Sequence, residues 1–304
     1  HKDSNPSMTV SPAKQIYKCF SCGAGGNAIN FVKSIENISY VEAIKKLAER
    51  IGEQVEEFEL KGKDLEEHEL KVACKKAMKD AALFYHKELK EDKNKEFLQY
   101  ALGRMEQTTI DEELIGYANG GVYKYLKELG YSTETLNQAG LITISNDGSI
   151  RDKFYKRIMF PIRDVVGNVV AFTARSVNAE EKAAKYINSK EGVLYHKSQI
   201  IYGLDSAKKS IVKNDRVFLV EGNMDVLTLQ SIGITNVIAL SGTALSDAQI
   251  NLLIKYTSNV YIIADTDEAG IKALNVNAQK LIQNKCTVYV VPLPDEVDEK
   301  GKKV

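Results

Sequence analysis

Residues 216–270 decide the fold and read RVFLVEGNMDVLTLQSIGITNVIALSGTALSDAQINLLIKYTSNVYIIADTDEAG. Three short apolar runs lie in this stretch, at 217–220, 236–240 and 260–264, and each ends at glycine, serine or acidic residues. Helical patterns follow the first and third runs, the first of them from Met224. Strand, turn and helix repeated in this way predict a parallel sheet wrapped by helices.

Acidic residues stand at the ends of two of these runs. Glu221 follows the first run, and Asp265 and Asp267 follow the third. Ligands of open parallel sheets collect outside the carboxyl ends of the strands, so we expect these three carboxylates at one edge. Hard cations such as Mg²⁺ take oxygen ligands and commonly join one or two carboxylates to substrate phosphates. The alternative for any single acid is helix capping, but three acids on two strands favour a metal site.

The segments EGNMDV and ADTDEAG resemble the TOPRIM fold, which bacterial DnaG-type primases share with type IA and type II topoisomerases and some nucleases. This resemblance implies that Glu221, Asp265 and Asp267 are catalytic. It also implies that these three acids, together with Asp225, hold Mg²⁺ or Mn²⁺ at the nucleotide phosphates.

Three stretches depart from the primase pattern. Asn223 stands where primases often have tyrosine, and Ala264 and Thr266 replace the phenylalanine and glycine that adjoin the second pair of acids. Residues 172–175 read FTAR in place of FGGR, which weakens the case for a close approach of backbone to phosphate there. The departures affect neighbours of the acids and leave the acids themselves intact.

Composition and charge exclude several classes of protein. The 304 residues carry 41 Lys+Arg and 41 Asp+Glu, so only a local basic face can indicate nucleic-acid binding. Four cysteines are too few and too unevenly placed for a disulfide scaffold, and no apolar run reaches membrane-spanning length. We therefore expect a soluble, cytoplasmic protein. Because the sequence begins at His1 without methionine and ends on a charged run, we also expect a piece of a longer protein.

The first 26 residues indicate a small zinc domain. Val10 and the run at 15–17, separated by a Ser-Pro turn, predict an antiparallel ribbon. A C-x-x-C-G sequence follows and is typical of a zinc knuckle, in which a turn aims two thiolates at one metal. The visible ligands are His1, Cys19 and Cys22, whereas tetrahedral zinc needs four. A redox pair is the alternative, but such pairs usually open a helix of a thioredoxin-like unit, which nothing upstream resembles.

The same residues are very similar to the zinc-binding domain that opens bacterial DnaG-type primases. In that family a further cysteine lies three residues before the histidine, so the resemblance places the fourth ligand before residue 1. Lys14, Tyr17 and Phe20 are candidates for contact with single-stranded DNA by charge and stacking. The alternative for the two aromatic rings is to pack the ribbon itself.

The middle of the chain predicts helices followed by hairpins. Residues 53–69 are rich in charge and poor in apolar residues, which predicts an exposed, partly helical linker. The apolar pattern over 70–102 predicts two helices that break at 92–94. Turn signals at 146–148 and 167–168 predict hairpins. The paired strands predicted beside these turns are 157–164 and 169–173.

Further motifs occur in the order found in primases, namely RIMFPIRD, then KYINS, then YHK and IYGL. The resemblance implies a basic face beside the acids, where arginine binds phosphate as a planar fork and lysine as a point charge. Scattered basic residues usually form ordinary solvated surface, and it is the order of the motifs that favours a function here. The residues implied for this face are Arg157, Arg163, Arg175, Lys185 and Lys197.

The fold class that follows is α/β, with a small zinc-ribbon domain, an α+β subdomain and a TOPRIM parallel-sheet subdomain. We expect the zinc ribbon at 1–52 and the linker at 53–69. The N-terminal subdomain of the RNA polymerase core is expected at 70–215 and the catalytic TOPRIM subdomain at 216–304.

The resemblance implies a DNA primase, a DNA-dependent RNA polymerase that makes short RNA primers for replication by nucleotidyl transfer. Implied cofactors are structural zinc and catalytic Mg²⁺ or Mn²⁺. Implied partners are single-stranded DNA template, ribonucleoside triphosphates, the RNA–DNA hybrid product and the replicative helicase. The alternatives are a TOPRIM topoisomerase or nuclease, and a non-catalytic zinc-and-TOPRIM binding module. No tyrosine stands in a recognisable topoisomerase motif, and the intact acids weigh against the binding module.

Overall fold

The computed structural model describes residues 7–20, 24–36, 38, 40–53, 63–177, 184–240, 244–264 and 267–292. Its first part is a three-stranded antiparallel sheet followed by two helices. Met8 pairs with Cys19 in the first two strands, so the predicted ribbon is confirmed. The elements are β1 (Met8–Ser11), β2 (Ile16–Cys19), β3 (Gly25–Gly26), α1 (Ala28–Glu36) and α2 (Tyr40–Ile51).

A long helix supports the middle of the molecule. The helices here are α3 (Lys63–Lys90), α4 (Lys95–Leu102) and α5 (Gln107–Glu112). The predicted break at 92–94 is confirmed as a 3₁₀ turn between α3 and α4. Ala77, Ala81 and Tyr85 recur at helical spacing on α3 and are at most 1 % exposed, so this stripe faces the core. Residues 63–69 of the predicted linker belong to α3, and 54–62 lie outside the described residues.

Short elements connect α5 to the next large sheet. They are β4 (Gly116–Ala118), α6 (Val122–Glu128), α7 (Thr133–Gln138), β5 (Ile142–Ile144) and β6 (Ile150–Asp152). β5 and β6 form the hairpin that the turn signal at 146–148 predicts, with Gly148 in the left-handed region at φ 81°. Asp152 accepts the backbone N–H groups of Val122 and Tyr123 and thereby caps the start of α6.

A four-stranded antiparallel sheet follows, in the order β4-β7-β8-β9. Its further strands are β7 (Arg157–Arg163), β8 (Val169–Ser176) and β9 (Tyr186–Asn188). The turn between β7 and β8 has Gly167 at φ 97°, which confirms the second hairpin. β8 extends three residues beyond the predicted end at Thr173, because β9 pairs with this part of it.

Side chains alternate between the two faces of this sheet. Met159 and its cross-strand neighbours Phe172 and Ala174 lie on the face that packs with α3. Ile158 and Phe160 lie on the opposite face, in a cluster shared with Val220 of the chain's third part. We call these the α3 face and the inner face of the antiparallel sheet.

The third part is a five-stranded sheet in the order β10-β12-β11-β13-β14, with β11 to β14 parallel and β10 antiparallel. The predicted parallel sheet is therefore confirmed. The antiparallel strand β10 was not predicted, because two residues carry no periodic pattern. The elements are β10 (Ile201–Tyr202), α8 (Leu204–Asn214), β11 (Val217–Val220), α9 (Asn223–Ser231), β12 (Val237–Leu240), α10 (Asp247–Leu253), β13 (Asn259–Ile262), α11 (Glu268–Gln283) and β14 (Thr287–Val290).

The α/β fold class is confirmed by this arrangement of ribbon, antiparallel sheet and parallel sheet. The first and third parts touch where the Lys255 ammonium donates to the carbonyl of Ser34 at 3.0 Å. Within the described ranges, none of the helices combines the length and the apolar character that crossing a bilayer requires.

Candidate active site

Two of the predicted acids lie at the carboxyl edge of the parallel sheet. Glu221 directly follows β11, Asp267 lies between β13 and α11, and both are exposed. β11 and β13 are neighbouring parallel strands, paired from Val217 with Val260 onward, so their carboxyl ends lie side by side. Asp265 lies outside the described residues.

The acids in this region also cap helices. Asp225 Oδ2 accepts the backbone N–H of Gly222 at 2.8 Å, and Asp267 Oδ1 accepts that of Gly270 at 2.7 Å. These contacts are the capping role that stands as the alternative for a single acid. A carboxylate has two oxygens with several acceptor positions, so capping by one oxygen is compatible with metal binding by the other. We call Glu221, Asp225 and Asp267 the acid edge.

The donor chemistry of the acid edge suits a hard divalent cation, because its groups are carboxylate oxygens. No group of three His, Cys, Asp or Glu side chains close enough to hold a metal occurs among the residues that the structure describes. Asp265, the acid that would complete the predicted set, lies outside those residues.

Arg175 of β8 lies on the inner face of the antiparallel sheet, where it pairs with Tyr186 of β9. Its Nη1 donates to the Tyr186 hydroxyl at 2.8 Å, and its Cζ lies 5.3 Å from the Tyr186 ring centroid and 5.5 Å from that of Tyr100. The exposed Arg104 stacks on the same Tyr100 ring, with its Cζ 3.8 Å from the centroid. We call Tyr100, Arg104, Arg175 and Tyr186 the cationic shelf.

Arg104 and Tyr100 were missed in the sequence. Their separation of four residues at the end of α4 places them on one helical face, which is the signal that could have revealed the pair. Thr228 of α9 donates its hydroxyl to the carbonyl of Arg104 at 3.2 Å. The loop that carries Arg104 is thus joined to the helix that follows Glu221.

The pKa of the Tyr186 phenol is influenced by groups of both the shelf and the acid edge. Burial raises the pKa of the Tyr186 phenol, and the neighbouring Arg175 opposes this rise. The charges of Tyr100 and Asp225 raise the pKa further. The Asn223 amide donates to the Thr173 hydroxyl at 3.0 Å, so the helix that begins beside Glu221 contacts the strand that carries Arg175.

The two predicted lysines are both exposed. Lys185 directly precedes Tyr186 and β9, and its carbonyl accepts from the Ser176 backbone N–H and from Arg157. Lys197 is on the loop before β10, where its backbone N–H donates to Glu191 and its carbonyl accepts from Gln249 of α10. Its backbone contacts are therefore with this loop and α10 rather than with the shelf.

Arg157 does not lie on the expected basic face. Only 6 % of its surface is exposed, and Nη1 donates to the carbonyl of Ala184 at 2.9 Å and, more weakly, to those of Ala174 and Lys185. Arg157 pairs with Ser176 and so belongs to the α3 face, whereas Arg175 pairs with Ile158 and belongs to the inner face. The two arginines point to opposite sides of the sheet.

Arg163 is also engaged inside the molecule. Its Nη1 forms an ion pair with Glu113, and its Nη2 donates to the carbonyl of Glu112 at 3.2 Å. Burial raises the pKa of Glu113, and Arg163 counteracts this rise. Burial likewise raises the pKa of Asp205, which Arg163 again opposes. Arg163 thus compensates two buried acids, and we leave it and Arg157 out of the proposed DNA contacts.

One zinc ligand of the predicted set lies within the described residues. Cys19 is 5 % exposed, its backbone N–H donates to the carbonyl of Ala24 at 2.7 Å, and its Sγ lies 3.6 Å from the Ser7 hydroxyl. His1 and Cys22 themselves lie outside the described residues.

The structure separates the two aromatic candidates of the ribbon. Tyr17 packs edge-on against Phe31 of α1 with ring centroids 5.0 Å apart, which is the packing alternative. Phe20 is 73 % exposed and is free of that packing role. Lys14 is exposed in the turn between β1 and β2.

Three family models match successive parts of the chain. A CHC2 zinc finger matches residues 1–63, the N-terminal domain of the DNA primase catalytic core matches 84–208, and a Toprim-like domain matches 218–300. The DNA primase of Aquifex aeolicus is 38% identical over 301 residues, which cover 98% of this chain and 58% of that protein. The DNA primase of Synechocystis is 39% identical over 292 residues, which cover 92% of this chain and 46% of that protein.

Solved structures give the same result. The Aquifex aeolicus primase, with its zinc-binding and RNA polymerase domains, superposes with a TM-score of 0.70 at 36% identity, covering 98% of this chain and 72% of that one. The Mycobacterium tuberculosis DnaG RNA polymerase domain has a TM-score of 0.67 at 30% identity, covering 75% and 77%. A DnaG catalytic domain bound to ssDNA has a TM-score of 0.67 at 31% identity, covering 76% and 74%.

The chain spans about half the length of the curated primases that it matches. The zinc-finger, catalytic-core and Toprim matches nevertheless follow one another in a single order, and the Aquifex structure matches nearly the whole chain. The acid edge at the parallel sheet and the cationic shelf agree with these matches. This chain belongs to the bacterial DnaG-type DNA primases.

Proposed function

We propose that this chain carries the active centre of a DNA primase, which joins ribonucleotides on a single-stranded DNA template into short RNA primers. The observation that carries the proposal is the hydrogen bond from Asn223, at the start of α9 beside Glu221, to Thr173 on β8, two residues from Arg175 of the cationic shelf. Transfer of a nucleotidyl group requires a divalent cation and phosphate-binding cations at the same place.

Glu221, Asp265 and Asp267 would hold Mg²⁺ or Mn²⁺, supported by Asp225. A bound cation would polarise the reacting phosphate and lower the pKa of the attacking hydroxyl group. The chain's own contribution is rigidity, because Asp225 and Asp267 fix the starts of α9 and α11 through their caps. Such caps keep the strand-to-helix turns, and hence the carboxylates, in place before substrate arrives.

The cationic shelf would bind the phosphates of the incoming nucleotide and of the template. Arg104 and Arg175 present planar forks for phosphate oxygens. The exposed Lys185 is proposed as a point-charge contact with the nucleic-acid backbone outside the shelf. The Tyr100 and Tyr186 rings offer surfaces on which a base can stack. Lys197 is proposed as an outlying contact with the nucleic-acid backbone.

The zinc would be structural and held by Cys19 with His1 and Cys22, since the C-x-x-C-G spacing at 19–23 is typical of a zinc knuckle. The exposed Phe20 beside it would contact single-stranded DNA. Zinc content per chain after dialysis against a chelator, compared between the wild type and Cys19→Ser, tests this part of the proposal.

The proposed partners follow from the same site. Single-stranded DNA is the template, in line with the ssDNA-bound DnaG catalytic domain that this chain resembles. Ribonucleoside triphosphates are the substrates and an RNA–DNA hybrid is the product. The replicative helicase is proposed as a partner of the whole protein.

Replacing Glu221 tests the proposed function. Glu221→Gln keeps the side chain's size and removes the charge that would bind the cation, so primer synthesis should fall by at least about 100-fold. Affinity for single-stranded DNA without divalent cation should stay within about twofold. Incorporation of labelled ribonucleotides and DNA binding by fluorescence anisotropy measure the two quantities.

Glu268→Gln is the matched control, because Glu268 is exposed in the first turn of α11 at the same edge. It should leave primer synthesis unchanged. Primer synthesis that persists in Glu221→Gln would refute the proposal. Cleavage of the template in place of synthesis by the wild type would refute it in favour of a nuclease.

A further inference from the structure

The acid loop, residues 221–222 between β11 and α9, is joined to the antiparallel sheet through a side chain of α9. Asn223, the first residue of α9, donates from Nδ2 to the hydroxyl oxygen of Thr173 on β8 at 3.0 Å. Asp225 accepts the backbone N–H of Gly222 within the same loop. The Asn223 contact spans 50 residues of sequence and joins the two sheets of the site.

The chemistry of the three groups sets the direction of a hydrogen-bond chain. The Thr173 hydroxyl has one proton, and it donates that proton to Asn188 Oδ1 on β9 at 2.8 Å. A lone pair of the same oxygen remains to accept the amide proton of Asn223. Thr173 is 6 % exposed, so its hydroxyl would be costly to leave unpaired.

This chain of hydrogen bonds lies next to Arg175. Thr173 pairs with Asn188, and Arg175 pairs with Tyr186, in successive rungs of β8 and β9 on the inner face. A displacement of the acid loop away from Thr173 would therefore change its distance from the cationic shelf. Positions 173 and 223 are also two of the places where this sequence departs from the primase pattern, with threonine for glycine and asparagine for tyrosine.

We propose that Asn223 and Thr173 are positioning residues that hold the acid edge at a fixed distance from Arg175. The inference rests on the proposed function, since it concerns the cation and the phosphates that would bridge these groups. A cation alone needs only the acid edge, whereas a cation–triphosphate complex needs the acid edge and the shelf at the correct separation. Loss of the hydrogen bond should weaken the second interaction and spare the first.

Binding of Mn²⁺ and of Mn²⁺–ATP to the full chain tests the proposal. Thr173→Val removes the hydroxyl at almost constant volume, and Thr173→Ser retains it as the matched control. We expect Mn²⁺–ATP affinity to fall about tenfold in Thr173→Val and in Asn223→Ala, while Mn²⁺ affinity and the Thr173→Ser values stay within about twofold. The double variant Thr173→Val/Asn223→Ala should be no weaker than either single variant, because both remove the same contact.

Hydrogen exchange of the metal-free chain gives a second readout that does not depend on bound cation. The amides of residues 222–226 should exchange about tenfold faster in Thr173→Val than in the wild type or Thr173→Ser. Equal exchange rates would overturn the inference, as would losses of Mn²⁺–ATP affinity that multiply in the double variant.

Glu221→Gln separates this inference from the proposed function. If Glu221→Gln binds Mn²⁺–ATP as the wild type does, the proposed function fails. If Glu221→Gln loses that binding while Thr173→Val retains it in full, the positioning role alone is wrong.

Discussion

The two large sheets present functional groups by different rules. In the parallel sheet, the acids stand at strand ends, and the edge they occupy follows from strand direction alone. In the antiparallel sheet, the basic residues stand within strands, and alternation sends neighbours to opposite faces. A parallel sheet therefore reveals its site in the linear sequence, whereas an antiparallel sheet requires knowledge of what covers each face.

The two arginines of the antiparallel sheet illustrate the second rule. Arg157 and Arg175 both lie in motifs with the order found in primases, yet Arg157 is buried on the α3 face and Arg175 is on the inner face by the acid edge. Which face is covered depends on α3, an element about seventy residues earlier in the chain. Motif membership thus did not separate a buried arginine from one on the inner face.

The largest predicted effect comes from disrupting the packing of β4 against α3 on the α3 face. A Cβ on Gly116 would lie 2.5 Å from the carbonyl carbon of Tyr85 and 2.8 Å from the backbone nitrogen of His86, so β4 and α3 would have to separate. Gly116→Ala should lower the free energy of unfolding by about 3 kcal/mol, as overpacking against backbone does. Urea denaturation measures the change.

Gly192→Ala is the control for that experiment, because its Cβ would meet only the Gln138 carbonyl oxygen at an ordinary 3.6 Å. It should change the free energy of unfolding by less than about 0.5 kcal/mol. Equal stability of Gly116→Ala and Gly192→Ala would show that α3 does not press on β4 as described.

The next prediction compares the roles of Arg157 and Arg175 by replacing each with methionine. Arg157→Met removes the charged donor of the hydrogen bond to the Ala184 carbonyl and should cost about 2 kcal/mol of unfolding free energy, with DNA affinity of the folded protein unchanged. Arg175→Met should cost less than about 1 kcal/mol of stability. Its plot of log affinity for single-stranded DNA against log salt should flatten by roughly 0.7, the slope of one phosphate contact.

Lys213→Ala serves as the surface-charge control, because Lys213 is exposed at the end of α8, at the edge of the parallel sheet opposite the acids. Its salt dependence should superimpose on that of the wild type. A flatter slope in Arg157→Met than in Arg175→Met would reverse the assignment of the two faces.

The smallest predicted effect concerns pH and the acids near Arg163 of β7. Arg163 forms an ion pair with Glu113, and its charge opposes the rise in the pKa of Asp205 on α8. Burial raises the pKa of Asp205. An acid with a raised pKa in the folded state stabilises the fold at low pH, and this contribution is lost as the pH rises through that pKa. As the pH rises from about 4 to about 7, the free energy of unfolding of Asp205→Asn should therefore increase by about 0.5 kcal/mol relative to that of the wild type.

Urea denaturation at both pH values measures this difference, with Asp247→Asn, an exposed acid in the first turn of α10, as the control. The control should show no change with pH relative to the wild type. A loss of stability in Asp205→Asn on raising the pH would show that Arg163 outweighs burial at Asp205.

Much of the fold was predictable because it depends on local pattern. The parallel strands, the break at 92–94 and both hairpins follow from apolar runs and turn residues, and the structure confirms them. The place of Glu221 and Asp267 at one edge follows in the same way, since strand order hardly affects which end of a parallel strand is the carboxyl end.

The sequence by itself determined the elements, the acids at the strand ends and the resemblance to primases. Only the tertiary structure decided that Arg157 and Arg163 are internal, that Arg104 joins Arg175 around Tyr100, and that Asn223 reaches Thr173. These outcomes depend on contacts between residues far apart in the chain. Local propensity specifies strands and turns, but the partner that a side chain meets across two packed sheets is set by how those sheets pack.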